Sequence, residues 1–245
     1  MKPLRFLPSF YLAAVVFLLA SCGGSADKTD TTIDSTAATS TTTADATPAS
    51  TIVNTPQMMV VVTHKVKDYD KWLPSFEAHD SMKLANGIHN YVVGRGKDDA
   101  NTLVVATKAD DVTRAKAFMK DASLKKAMQE GGVTGNPDIR IYEMVYQDTA
   151  KVSSTTRTTS TFTVKDWDAW RKSFDSARQA ATDNGLALRA YGHEVDDNKK
   201  VVVVSAVLDS AKANAFWNSA ELKARRTASG AGEIKRFIWE VTKRY

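Results

Sequence analysis

The chain has 245 residues, of which 43% are hydrophobic, 9% aromatic and 25% charged, a profile that excludes wholesale disorder, a collagen-like fibre and a polytopic membrane protein. Its 33 Lys and Arg against 28 Asp and Glu give a formal charge of +5, too mild an excess to argue for a nucleic-acid partner. The single cysteine excludes an intrachain disulfide and every zinc or redox motif built on paired thiols.

Residues 1–21 read as a secretory signal: Lys2 and Arg5 precede an apolar run from Phe10 to Ala20, and small residues lead up to Cys22. The run is shorter than the roughly 20 apolar residues of a permanent span. Leu19-Ala20-Ser21-Cys22 resembles the bacterial lipobox, which implies cleavage before Cys22 and its lipidation with diacylglycerol and an amide-linked acyl chain such as palmitate. The alternative is a plain signal with a chance cysteine. Two or more acyl chains hold a protein on a bilayer where one does so only marginally, so Cys22 predicts membrane anchoring. Gly23 stands where some diderm bacteria place an inner-membrane retention aspartate, so the expected location is the outer membrane, on its periplasmic or outer side. Loss of Lys2 and Arg5 with the signal takes two from the formal +5.

Residues 22–56 form the next segment, mainly Ser, Thr, Ala and Asp without an aromatic residue. Such a segment cannot bury enough apolar surface to offset its ordering entropy, and it predicts a disordered tether. As a random coil it would reach roughly 30 to 35 Å.

The remainder is one unit written twice, 57–148 and 157–245. A shift of 98 positions lays Val66-Lys67-Asp68-Tyr69-Asp70-Lys71-Trp72 on Val164-Lys165-Asp166-Trp167-Asp168-Ala169-Trp170. The match continues through Ser75-Phe76 on Ser173-Phe174, Asn86-Gly87 on Asn184-Gly185 and Gly94 on Gly192. After a one-residue deletion near residue 230 the shift becomes 97, and Ile141-Tyr142-Glu143 falls on Ile238-Trp239-Glu240. An ordered match over this length is an internal duplication.

Each copy predicts β-α-β-β-α-β, the ferredoxin-like split unit. In the first, Met58 to Val66 is a strand. Asp68 then caps a helix to about Asn86 with Trp72, Phe76 and Ala85 on its buried stripe, and Gly87 supplies the left-handed stop. Strands 88–94 and 103–107 meet at a turn around Asp98-Asp99. A helix from Asp111 to Glu130, broken near Asp121, leads to a closing strand, 139–146. The second copy predicts the same elements at 157–164, 166–184, 186–194, 200–207, 209–227 and 234–243.

The strands Met58-Met59-Val60-Val61-Val62 and Val201-Val202-Val203-Val204 are apolar on both faces, so both faces must be covered. Helices cover one, and the sheet of the other copy is the natural cover for the second. With the run Val66 to His79, Asn86-Gly87, the Asp98-Asp99 turn and Lys116-Ala117-Phe118 before Leu124-Lys125-Lys126-Ala127-Met128, the chain resembles the dimeric α+β barrel superfamily, especially antibiotic-biosynthesis-monooxygenase-like domains. The resemblance implies an α+β fold in which the two repeats pack sheet to sheet within one chain, a monomer with pseudo-two-fold symmetry. It also implies a ligand pocket between helices and sheet. It is specific for fold and weak for activity, since the superfamily mixes oxygenases, isomerases and haem-handling proteins.

His79 follows Trp72 and Phe76 on the helix stripe and points at the sheet, whereas the second copy has Ala177 there, so packing alone is content with a methyl group. Trp72, Phe76 and His79 are the candidate ligand-binding residues. His64, matched by Phe162, alternates with Val60, Val62 and Val66, and it shares a pocket with His79 only if that strand face is the helix-covered one. His79, His64 and Glu143 are the catalytic candidates: histidine for proton transfer, Glu143 as a carboxylate of raised pKa in an apolar strand. The plain alternatives are core-edge histidines, and Glu143 and Glu240 paired with Arg or Lys of the neighbouring sheet. His89, Tyr91 and Arg95, with Ala187, Arg189 and His193 opposite them in the second copy, predict solvent-facing positions. Asp68, Asp70, Asp166 and Asp168 predict helix starts rather than metal ligands, and neither a metal nor a cofactor is expected. Trp72, Trp167, Trp170, Trp217 and Trp239 are core candidates. Three functions fit: a lipid-anchored binding or accessory module for a small apolar molecule, a cofactor-independent monooxygenase-like enzyme, and an interaction module without a ligand. The second copy lacks both His64 and His79, so a ligand is expected in the first. The haem-degrading branch of the superfamily that the chain resembles typically uses a histidine on the second helix; residues 111–130 hold none, so the resemblance does not extend to haem oxygenation.

Overall fold

The computed structural model describes residues 50–245. The expected signal, Cys22 and most of the tether lie outside the described residues. The first repeat comprises β2 (Gln57–Val66), α1 (Tyr69–Ala78), α2 (Asp80–Ala85), β3 (Ile88–Gly96), β4 (Thr102–Ala109), α3 (Val112–Phe118), α4 (Ala122–Glu130) and β5 (Val133–Asp148), preceded by a short β1 (Ile52–Val53). The second comprises β6 (Thr156–Thr163), α5 (Trp167–Asp183), β7 (Leu186–Glu194), β8 (Asp197–Val207), α6 (Ser210–Trp217), α7 (Ala220–Ala228) and β9 (Lys235–Arg244).

The strands form one antiparallel sheet in the order β1-β5-β2-β4-β3-β9-β6-β8-β7, and β7 pairs back onto β5. Closure of β5 on β7 turns the two repeat sheets into a single barrel with two inter-repeat seams. One seam runs from Tyr142 opposite Glu194 to Gln147 opposite Ala190, and the other from Val92 opposite Arg244 to Gly96 opposite Trp239. This is the expected α+β architecture, a dimeric α+β barrel made within one chain.

Alternation along β2 sets the two environments. Val60, Val62, His64 and Val66 lie under the helices with Trp72, Ile88, Val93, Leu103 and Phe118. Met59 turns the other way, packing with Tyr142, Met144 and Val202 across the barrel. Burying a Val or Leu contributes about 1.5 to 3 kcal/mol, which is why a β-strand with apolar residues on both faces seeks two covers. The inner faces do not close completely. A cavity of about 330 Å³ remains in the lumen. The two repeats reproduce even ring geometry: Trp72 stacks on Phe76 with centroids 4.9 Å apart, and Trp170 stacks on Phe174 at 4.8 Å.

Several expected boundaries are corrected. The helix predicted to run unbroken from Asp68 to Asn86 breaks at His79, which has φ −93° and ψ 19°. Nδ1 of His79 donates to the Ser75 carbonyl at 2.7 Å, taking the acceptor its own backbone N–H would use, and that N–H turns to the Glu77 carbonyl instead. Ala177 has no such side chain, and α5 runs through without interruption. The break expected near Asp121 recurs at the matching Ser219 of 209–227, whose Oγ accepts from Leu222 N and starts a new helix. The closing strand is longer than 139–146 because Gly135, at φ +69°, and Pro137 are absorbed where the β2–β5 register shifts between Thr63 and Lys65. The expected tether ends early as well. Ile52 and Val53 pair with Asp148 and Gln147, so the last part of 22–56 belongs to the sheet.

Among the described residues no helix is long and apolar enough to cross a membrane. The aspartates behave as helix starts: Asp68 Oδ1 accepts from the amides of Asp70 and Lys71, and Asp166 Oδ1 accepts from that of Ala169. Among the described residues no cluster of His, Cys, Asp or Glu is arranged to hold a metal ion.

Candidate functional site

The helix-covered face of β2 is the one that carries His64, so His64, Trp72, Phe76 and His79 line one cavity of about 80 Å³ between α1, α4 and the sheet. His64 is 6% exposed, its ring lies 5.5 Å from that of Trp72, and neither ring nitrogen has a hydrogen-bond partner. Burial alone pushes its pKa down to about 4, so the imidazole is neutral at pH 7. His79 is half-buried at the helix break. Because its Nδ1 donates to Ser75, Nε2 is the unprotonated nitrogen of the neutral ring.

A third polar group stands at the edge of this cavity. Lys83 Nζ donates to the Phe76 carbonyl at 3.0 Å and to Asn90 Oδ1 at 2.8 Å, and it sits 3.4 Å from the centre of the Phe76 ring. Desolvation lowers its pKa to about 8 against the opposing pull of Asp80. Lys83 is not among the residues expected from the sequence. The signal was there, since Ala181 stands at the matching helix position of the second copy.

Glu143 is not part of this constellation. It pairs opposite Met58 at the far end of β2 from His64, six residues and roughly 20 Å along the strand. The expected ion pairs of the two strand glutamates are also absent among the described residues. Glu240 accepts instead from the hydroxyls of Thr155 and Thr156, each at 2.7 Å. The strand-two residues divide. His89 is exposed beside Asp110, at 3.0 Å, and Arg95 stacks on Tyr69 at 4.4 Å. Tyr91 and Arg189, expected in solvent, line the lumen, because the register shifts near Asn90 and Leu188 turn them inward.

The second repeat has an equivalent cavity of about 160 Å³, in which Phe162 and Ala177 replace the two histidines. It is not chemically bare. Arg226 Nε, Arg236 Nε and Thr158 Oγ1 are buried there without partners, at positions where the first repeat has Met128, Ile139 and Val60. Positions polar in the first copy's cavity and apolar in the second single out His64, His79 and Lys83. The reverse comparison identifies Arg226, Arg236 and Thr158.

No family model matches this chain and no curated protein matches it by sequence. Solved structures do resemble it. A "putative monooxygenase" of Fusobacterium nucleatum superposes with a TM-score of 0.53 at 13% identity, covering 77% of this chain and 93% of its own. An anthrone oxidase-like protein gives 0.55 at 13% identity over 78% and 94% of the two chains. A "putative chlorite dismutase" gives 0.53 at 11% identity over 77% and 96%. Each match spans more of this chain than either repeat, and at these identities each establishes the shared fold.

Proposed function

We propose that this chain is an exported, lipid-anchored module that binds a compact, largely apolar small molecule under the helices of its first repeat. The observation that carries the reading is His64: a buried imidazole with two unpartnered nitrogens facing a cavity walled mainly by Trp72, Phe76 and aliphatic side chains, with Ser75, His79, Lys83 and Thr107 as its other polar residues. Leaving such a group unsatisfied costs about 1 to 3 kcal/mol, and the second repeat avoids the cost with Phe162. A ligand hydroxyl or N–H would satisfy the unprotonated ring nitrogen, and an acceptor atom would satisfy the other, which carries the proton. The cavity of about 80 Å³ is about half the ~150 Å³ of an engineered cavity that takes benzene, so the ligand is compact or the helix break at His79 gives way to it.

The test is a nuclear magnetic resonance titration with isobutanol and with phenol. The reading expects the His64 ring and Trp72 indole resonances to move together, and expects the response to vanish in His64→Phe. Shifts confined to the second repeat, or none, overturn it. Anchoring rests on Leu19-Ala20-Ser21-Cys22 and is tested by labelling cells with radioactive palmitate. Label lost in Cys22→Ser supports it, and an unlabelled wild-type chain refutes it.

A second reading, cofactor-independent oxygenation, draws on the neutral, unpartnered His64 as a proton acceptor. A base with a pKa of about 4 is poorly matched to neutral pH, which favours binding over catalysis. Oxygen uptake with a small hydroquinone, dependent on His64, would reverse that preference.

A further inference from the structure

The lumen has a cationic end that the fold does not require. Arg157, Arg189 and Arg244 face it from the starts of β6 and β7 and the end of β9. Under the repeat shifts their counterparts are Met59, Tyr91 and Gln147, which line the same cavity from the first repeat. Packing there is therefore satisfied by uncharged side chains.

The three arginines are not equally neutralised. Arg189 bonds the Asp148 carboxylate at 2.9 Å and the Ala150 carbonyl at 2.6 Å. Arg157 is only 3% exposed, and its Nη1 donates to the Ser154 and Thr156 carbonyls at 2.8 and 2.9 Å. Among the described residues no carboxylate forms an ion pair with Arg157 or Arg244, and Nε and Nη2 of Arg157 have no acceptor. Glu240 attracts Arg157 but does not pair with it, its two carboxylate oxygens accepting from Thr155 and Thr156. Burial, then the neighbouring Arg244 and Arg189, push Arg157 down to about 10, which still leaves it charged at neutral pH. Val61, Val104, Val204 and Trp239 supply an apolar stretch of the wall, and Asp138, Arg140, Lys235 and Arg236 also line the cavity.

We propose that the barrel lumen binds an organic carboxylate, its anion held by Arg157 and Arg244 and its apolar body lodged against Val204 and Trp239. The volume of about 330 Å³ falls at the lower end of the roughly 300 to 1,000 Å³ of small-molecule pockets. Two free donors on one guanidinium match the two oxygens of a carboxylate in a planar fork. This site is separate from the helix-side pocket and does not depend on it.

Isothermal titration of the intact protein with 2-naphthoate, and with the neutral 2-naphthalenemethanol, tests the assignment. Naphthoate is expected to bind at least tenfold more tightly than the alcohol. Arg157→Met, which installs the residue of the first repeat, should weaken naphthoate at least tenfold and erase the difference between the two probes. Val204→Trp, which fills the lumen, should abolish both. Arg244→Gln, again a first-repeat residue, gives a second reading of the anion site if Arg157→Met does not fold. Absence of naphthoate binding, equal affinity of the wild type for the alcohol, naphthoate affinity undiminished in Arg157→Met, or binding of either probe that survives Val204→Trp overturns the proposal. The phenol response of His64, read on the same samples, reports separately on the helix-side pocket.

Discussion

A β-carbon on Gly94 would lie 2.1 Å from Cε3 of Trp239, so the indole occupies the space that any other residue's side chain would need. The equivalent Gly192 is tighter still: its β-carbon would lie 2.0 Å from the carbonyl oxygen of Glu143. Both glycines sit at the seams where one repeat joins the other.

Gly192→Ala is therefore expected to destabilise the protein by about 3 kcal/mol, and Gly94→Ala, whose nearest neighbour is a side chain, by about 2 kcal/mol. Urea unfolding of the two variants measures this. A cost near zero for Gly192→Ala would show that the seam can open without loss.

His64 makes stability fall in acid. Its folded pKa of about 4 lies below the ordinary 6.5, so between those values the unfolded chain binds a proton that the folded chain refuses. Stability is then lost as the pH drops through this window, by about 3 kcal/mol at its lower end. Urea unfolding at pH 7, 5 and 4 should show the loss in the wild type and a flatter profile in His64→Phe.

Much of this was readable in the sequence, for a physical reason. A duplication prints the same helix stripe twice, so Trp72-Phe76 and Trp170-Phe174 mark the helix-sheet interface independently, and strands apolar on both faces require two covers. What stayed hidden depends on register. Tyr91 and Arg189 looked solvent-facing because alternation was counted through positions where the strand shifts its pairing. The break at His79 depends on a side chain competing for the Ser75 carbonyl, a local contest that hydrophobic periodicity does not record.

The early strand β1 is expected to protect only its neighbours. Thr149 N donates to the Thr51 carbonyl at 2.8 Å, so a chain beginning after Asn54 should exchange the Thr149 amide at least tenfold faster. The amides of Val60 and Val62, between β4 and β5, should be unchanged. Faster exchange throughout β2 would mean that β1 supports the whole barrel.

Asp166 caps α5 through a 2.7 Å bond to the Ala169 amide. Asp166→Ala is expected to cost about 1 kcal/mol and Asp166→Asn much less, since asparagine caps nearly as well. Thermal unfolding distinguishes the two variants. An equal loss in both would show that the negative charge, rather than the hydrogen bond, is what matters.

Only a short connector from Asp148 to Thr156 separates the two repeats, and it has a consequence for how the molecule can evolve. Two identical chains joined about an axis must show every mutation on both sides. Once the partners are tied end to end, one side is free to keep methionine, tyrosine and glutamine at the barrel mouth while the other takes arginine, so the two halves of a single lining can diverge.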